Sequence, residues 1–239
     1  MCGRFTLTDP DADLAVQFNL PAIPDLQPRY NIAPTQPVAA VRVGREGETS
    51  AAGAAAVREM VLLRWGLIPF WAKDPGIGAR MINARAETVA EKPAFRAAFR
   101  RRRCLVVADG FYEWQKQNGW KQPFYIRLQG GKPFAFAGLW EFWKGDDDTA
   151  IESCTLLTTQ PNEVLRPLHN RMPVILHPKD YALWLDPEVQ ESDRLQALLR
   201  PYPPDEMGTY PVSRFVNSPE NDDPRCVEPL ALQGEFGNL

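Results

Sequence analysis

Histidine is scarce in this chain of 239 residues: there are two. Cysteine stops at four, with no C-x-x-C spacing and no paired histidines, so no zinc site is expected. Neither a Walker loop nor a G-x-G-x-x-G is present, which argues against a nucleotide cofactor. No apolar run nears the ~18 residues of a membrane span. The first residues, MCGRFTLTDPDAD, carry Arg4 and then acids in place of an apolar stretch, so they do not read as a secretory leader. Scattered cysteines in such a chain point to a reduced, cytoplasmic setting. Lysine is also short, at seven against twenty arginines.

What is present is ordinary for a globular chain, with 44% apolar and 24% charged residues. Proline is the exception, at 23 residues, about twice its ~5% background. That favours turns and short strands over a helix bundle. The net charge of −3 hides an asymmetry. Residues 186–239 hold eleven acids and four bases, whereas residues 1–185 hold nineteen acids and twenty-three bases. Arginine forks suit phosphate oxygens, so a local basic groove is compatible with the acidic total.

The pattern along the chain predicts a short helix over 10–18, capped by Asp9 with Pro10 at its first position. Strands are expected at Val38–Val43 and Met60–Trp65, joined through a low-complexity insertion at 44–56. Ala84–Glu91 and Pro93–Arg100 read as helices. Cys104–Ala108 is a continuous apolar strand that Phe111–Gln115 extends. Phe124–Leu128 and Phe134–Trp140 flank a GGKP turn and read as a hairpin. Strands follow at Ser153–Thr159 and Met172–Leu176, then helices at Pro178–Leu185 and Glu188–Leu199. The proline-rich acidic tail after Pro201 is expected to wrap the surface. The whole reads as one α+β domain over 1–239, on a strongly bent, mostly antiparallel, barrel-like sheet with peripheral helices.

Several residues can carry chemistry. Loss of Met1 would leave Cys2 with an amine (reference pKa ~7.7–8.0) and a thiol (~8.5) on adjacent carbons. Such an aminothiol captures aldehydes as a thiazolidine. Arg4, two residues on, is expected to hold an anion and to lower the thiol pKa. In MINARAET, Asn83 can both donate and accept, and Arg85 sits near an expected helix start. Glu113, between aromatic neighbours in GFYEW, is a candidate desolvated acid with a raised pKa. His169 in HNRMPV can shuttle protons, and Arg171 beside it can clamp a phosphate. Trp65 and Trp71, in WGLIPFW, are candidates to stack on bases. FRAAFRRRR (95–103) can track a nucleic-acid backbone or simply form a solvated helix end.

The order of these motifs is specific. MCGRF, RYNIAPTQ (29–36), RWGLIPFW (64–71), INARAET (82–88), RRCLVVADGFYEW (102–114), FAFAGLWE (134–141), TTQPN (158–162) and HNRMPVIL (169–176) follow one another. Together they resemble the SOS response-associated peptidase (SRAP) family over most of residues 1–185. The resemblance implies a domain that binds single-stranded DNA and cross-links to abasic sites through Cys2. It implies supporting roles for Asn83, Glu113 and His169, and DNA contacts from Arg4, Arg85 and Arg171. It implies no cofactor, and removal of Met1 is the peptidase activity behind the family's name. A monomer, associated with the nucleoid during DNA damage, is the expectation. Two alternatives stand beside it. An N-terminal-nucleophile glutamine amidohydrolase also begins Met-Cys-Gly, and a non-catalytic single-strand binder would need only the arginines and tryptophans.

Overall fold

The computed structural model describes residues 2–10, 13–44, 57–117 and 119–230. The expected insertion at 44–56 lies almost wholly outside the described residues. The molecule is α+β, with two sheets sharing one core. In the first sheet, β3 (Pro37–Val43), β4 (Arg58–Trp65), β6 (Arg103–Ala108), β9 (Phe134–Lys144) and β10 (Ala150–Thr159) are linked in the order β10-β4-β3-β6-β9. Because β10 also pairs with β9, these five strands close into a barrel-like ring. Closure removes the exposed edges that an open sheet would present. All six residues of β6 are buried, which suits the apolar run Cys104–Ala108 that follows Arg103.

The second sheet runs β13-β8-β7-β1-β2, from β1 (Phe5–Leu7), β2 (Arg29–Ile32), β7 (Gly110–Gln117), β8 (Trp120–Leu128) and β13 (Met207–Pro211). Phe5 fastens it to the ring, meeting Trp65 edge-on at 5.1 Å and Phe136 at 5.7 Å. Asp109 fixes β1 from below. It accepts from the Thr6 hydroxyl at 2.5 Å, the Thr8 amide at 2.5 Å and the Thr8 hydroxyl at 2.6 Å. At Gly110 an added Cβ would lie 2.1 Å from the Tyr125 hydroxyl, so only glycine permits this strand contact.

Several expectations are revised. The helix expected at 10–18 is α1 (Leu14–Phe18), and Asp13 takes the N-cap position in place of Asp9. Ala84–Glu91 is not a helix. Asn83–Arg85 forms β5, parallel to β10, and turns follow. α2 covers Arg96–Arg101. β7 does not extend β6 but turns into the other sheet. The expected hairpin across GGKP is absent, because β8 pairs with β7 and β13 while β9 pairs with β6, β10 and β12 (Ile175–Leu176). Val174 separates β12 from β11 (Met172–Pro173), which pairs with β10. α3 (Tyr181–Leu185) and α4 (Ser192–Gln196) are the last α-helices among the described residues. Within the tail, Met207–Pro211 forms β13 and completes the second sheet.

Candidate functional site

β1 brings Cys2 to the seam between the sheets. The Tyr112 amide donates to the Arg4 carbonyl at 3.0 Å, so residues 2–4 run beside β7. β7 buries Glu113, which is 2% exposed. β5 brings Asn83, whose Nδ2 donates to the Cys2 carbonyl at 2.8 Å. Asn83 Oδ1 is buried and has no partner among the described residues. A buried acceptor left open is costly unless a ligand uses it.

The electrostatics differ from the expectation. Burial, then the nearby Glu113 charge, pushes the Cys2 thiol well up rather than down. The Arg4 guanidinium does not oppose this, because it points elsewhere: Nη1 donates to Asn31 Oδ1 at 2.8 Å and to the Val216 carbonyl at 2.9 Å. Its Nη2 donates to the Asn217 carbonyl at 3.2 Å, and the guanidinium lies 6.0 Å from the Trp114 ring centre. Burial raises Glu113 to about 7. A carboxyl poised there exchanges a proton readily at neutral pH.

His169 is half-buried, and burial lowers its pKa, so the neutral imidazole prevails at pH 7. Its Nδ1 accepts from the Arg171 amide at 3.1 Å, which places the neutral ring's proton on Nε2. Gln115 Nε2 donates to the Pro167 carbonyl at 3.3 Å and ties β7 to the His169 loop. Arg171 is already engaged. Nη1 and Nη2 meet the two Glu87 oxygens at 2.6 and 2.9 Å, and Nη2 also donates to the Thr158 carbonyl at 2.5 Å. That fork in turn holds the Glu87 carboxyl below its usual range. Arg85, paired with Thr158 across β5 and β10, is exposed.

The aromatic candidates divide. Trp65 is fully buried and its Nε1 donates to the Ile82 carbonyl at 2.9 Å, so it packs the core and offers no face to a base. Trp71 is 49% exposed and its neighbour Phe70 58%, leaving both rings accessible. The arginine run is also redistributed. Arg103 is buried and donates to the carbonyls of Phe99, Arg100, Trp184, Asp186 and Val189. Arg102 pairs with the buried Glu141. Only Arg96, Arg100 and Arg101 of that run are exposed.

Sequence reasoning missed Asn31. Its Nδ2 donates to the carbonyls of Val216, Ser218 and Asn221 at 3.1, 2.9 and 2.7 Å while its Oδ1 accepts from Arg4. No strand signal marked it, because residues 20–37 read as proline-punctuated coil, whereas Arg29–Ile32 forms β2 by pairing with β1. Among the described residues no group of His, Cys, Asp and Glu is arranged to hold a metal ion, and no helix is long and apolar enough to cross a membrane.

Fold and site together define an α+β domain in which a buried cysteine near the start of the chain lies close to a buried acid and is held through its carbonyl by an asparagine. Residues 1–219 match the model of the SOS response associated peptidase (SRAP) family, and the chain belongs to that family. It is 44% identical over 232 residues to the abasic site processing protein YoqW of Bacillus subtilis (strain 168), covering 95% of this chain and 99% of that one. It is 32% identical over 204 residues to the abasic site processing protein HMCES of Xenopus tropicalis, covering 75% of this chain and 60% of the longer relative. A crystal structure of a Bacteroides thetaiotaomicron protein superposes with a TM-score of 0.82 at 26% identity, covering 97% of this chain and 100% of that one.

Proposed function

We propose that the domain processes abasic sites by capturing them covalently in single-stranded DNA, through Cys2 once Met1 has been removed. The observation that carries this reading is the Asn83 amide on the Cys2 carbonyl, close to a Glu113 carboxyl that burial pushes up to about 7. Names of relatives across bacteria and vertebrates point to the same substrate.

An abasic deoxyribose opens to an aldehyde. Glu113 or His169 assists that opening by moving a proton between the ring oxygen and the hydroxyl at C1′. The Cys2 amine then adds to C1′ and expels water, giving an imine. The Cys2 sulfur adds to the imine carbon, its proton passes to the nitrogen, and a thiazolidine closes. The buried thiol holds its proton tightly, so closure needs a base, and the Glu113 carboxylate serves. Neutral His169 returns protons through Nε2. Asn83 Oδ1, still open, accepts from a hydroxyl of the captured sugar. The imine alone favours strand cleavage by β-elimination, and ring closure preserves the strand.

Arg85 and Arg171 flank Thr158 and supply positive charge for phosphates. Arg4 adds charge but spends its terminal nitrogens on protein acceptors, so its main part is to position Trp114 and the chain beside Cys2. Trp71 stacks on a base near the lesion. Denaturing gel analysis after incubation with abasic single strands tests the reading. A heat-stable adduct that Cys2→Ser abolishes supports it. Glutamine hydrolysis without any adduct would instead identify an amidohydrolase, and only reversible complexes a plain binder.

A further inference from the structure

The β7–β8 hairpin reaches beyond the site and ends in a surface that the chemistry above does not use. Residues paired across the ladder share a face, so Tyr112/Tyr125, Trp114/Pro123 and Lys116/Lys121 form one stripe. Tyr112 and Tyr125 are buried, so the accessible part of the stripe starts at Trp114, whose ring centre lies 6.0 Å from the Arg4 guanidinium. It ends on two exposed lysines directly opposite one another. Like charges so placed cost a sheet stability, so the fold gains nothing from this pair. Neither lysine is in an ion pair among the described residues.

Beyond the lysines, Trp120 is 40% exposed, and the exposed Arg214 guanidinium lies 5.9 Å from its ring centre. Arg214 opens the 3-10 turn Arg214–Asn217, whose Val216 and Asn217 carbonyls hold Arg4. One short segment thus joins the hairpin tip to the Cys2 site. The Lys116 charge also reaches His169, on whose pKa it acts. The lysine pair stands on the Trp114 face and Trp120, paired with Gln117, on the other, so cations and an exposed indole surround the end of the hairpin, where a flexible polyanion with stackable rings can wrap it.

We propose that the hairpin tip, with Lys116, Lys121, Trp120 and Arg214, is a second contact surface for single-stranded nucleic acid, holding the strand that leaves the Cys2 site. This rests on the proposed function and extends it to strand length: the protein grips several nucleotides beyond the lesion. Lys116, Lys121 and Arg214 neutralise phosphates, and Trp120 stacks on a base.

The test is equilibrium binding of undamaged single strands of about 4 and about 16 nucleotides across a salt series. Wild type is compared with Lys116→Ala/Lys121→Ala and with Trp120→Ala. These side chains are exposed, so unfolding midpoints should match wild type. For the long strand, the double variant should reduce the slope of log affinity against log salt by about 1.4. Trp120→Ala should weaken the long strand by about tenfold. The short strand should bind all three proteins alike. Long-strand affinity and slope equal to wild type in both variants would overturn the proposal. So would an equal loss for both lengths, which would mean the hairpin acts at the lesion site itself. If wild type binds neither strand and forms no adduct, the functional reading itself fails, and that outcome is distinct.

Discussion

At Cys2 the environment opposes ionisation, through burial first and the nearby Glu113 charge second. That acid carries a measurable signature. Its pKa is raised from 4.5 to about 7, so the folded state favours the protonated form. Stability from this group is therefore complete below pH 4.5 and is lost as pH rises through about 7. The full loss is about 3 kcal/mol. Glu113→Gln should remove this dependence, so chemical denaturation at pH 5 and pH 8 should differ less in the variant than in wild type. The same substitution should slow adduct formation by roughly 100-fold, as expected for loss of a general base. Wild type and variant with equal pH profiles of stability would show that Glu113 is not held in its protonated form.

Among the elements, the 214–222 segment depends on few residues. The Asn31 side chain makes four hydrogen bonds, three to that segment and one to Arg4. Asp222 returns the contact by accepting from the Tyr30 and Asn31 amides at 2.5 and 2.9 Å. Asn31→Ala should cost about 2–4 kcal/mol, because it leaves several buried acceptors open. Hydrogen exchange should rise in 214–222 before it rises in the ring. Uniform exchange across both would mean that the segment does not open separately. This latch was not legible in the sequence, where the tail showed only proline and acid. The strands of the ring were legible, because β3, β4, β6 and β10 each carry a short apolar run bounded by turns. β5 was misread because its A-R-A-E context suits a helix, and parallel pairing with β10 overrides that preference. The β8–β9 link was misread because a turn between two alternating runs looks the same whether the runs pair or part into separate sheets. At the candidate site, the motifs nominated Cys2, Asn83 and Glu113, and the structure brings these three together. The direction of the Cys2 shift was not legible, since burial and the aim of the Arg4 side chain depend on tertiary packing.

For the molecule as a whole, the net charge of −3 predicts little about DNA, and local cations decide. Arg85 is exposed, whereas Arg171 is shared with Glu87 and Arg4 is held by the C-terminal latch. Arg85→Ala should therefore lower the salt slope for single strands by about 0.7 with no change in the unfolding midpoint. Arg4→Ala should lower the unfolding midpoint as well. An Arg85→Ala protein with the wild-type slope would place the strand on another face.

The central claim is that Cys2 reacts through its amine and thiol together. Intact mass spectrometry, after incubation with an abasic single strand and denaturation, reads it directly. The protein purified with its own start should appear without Met1 and gain the mass of the strand less one water. A variant with one alanine inserted before Cys2 keeps the thiol, Glu113, His169 and every arginine, yet separates amine from thiol. It should bind DNA nearly as well and show no adduct. A denaturation-stable adduct on that variant at the wild-type rate would contradict the account.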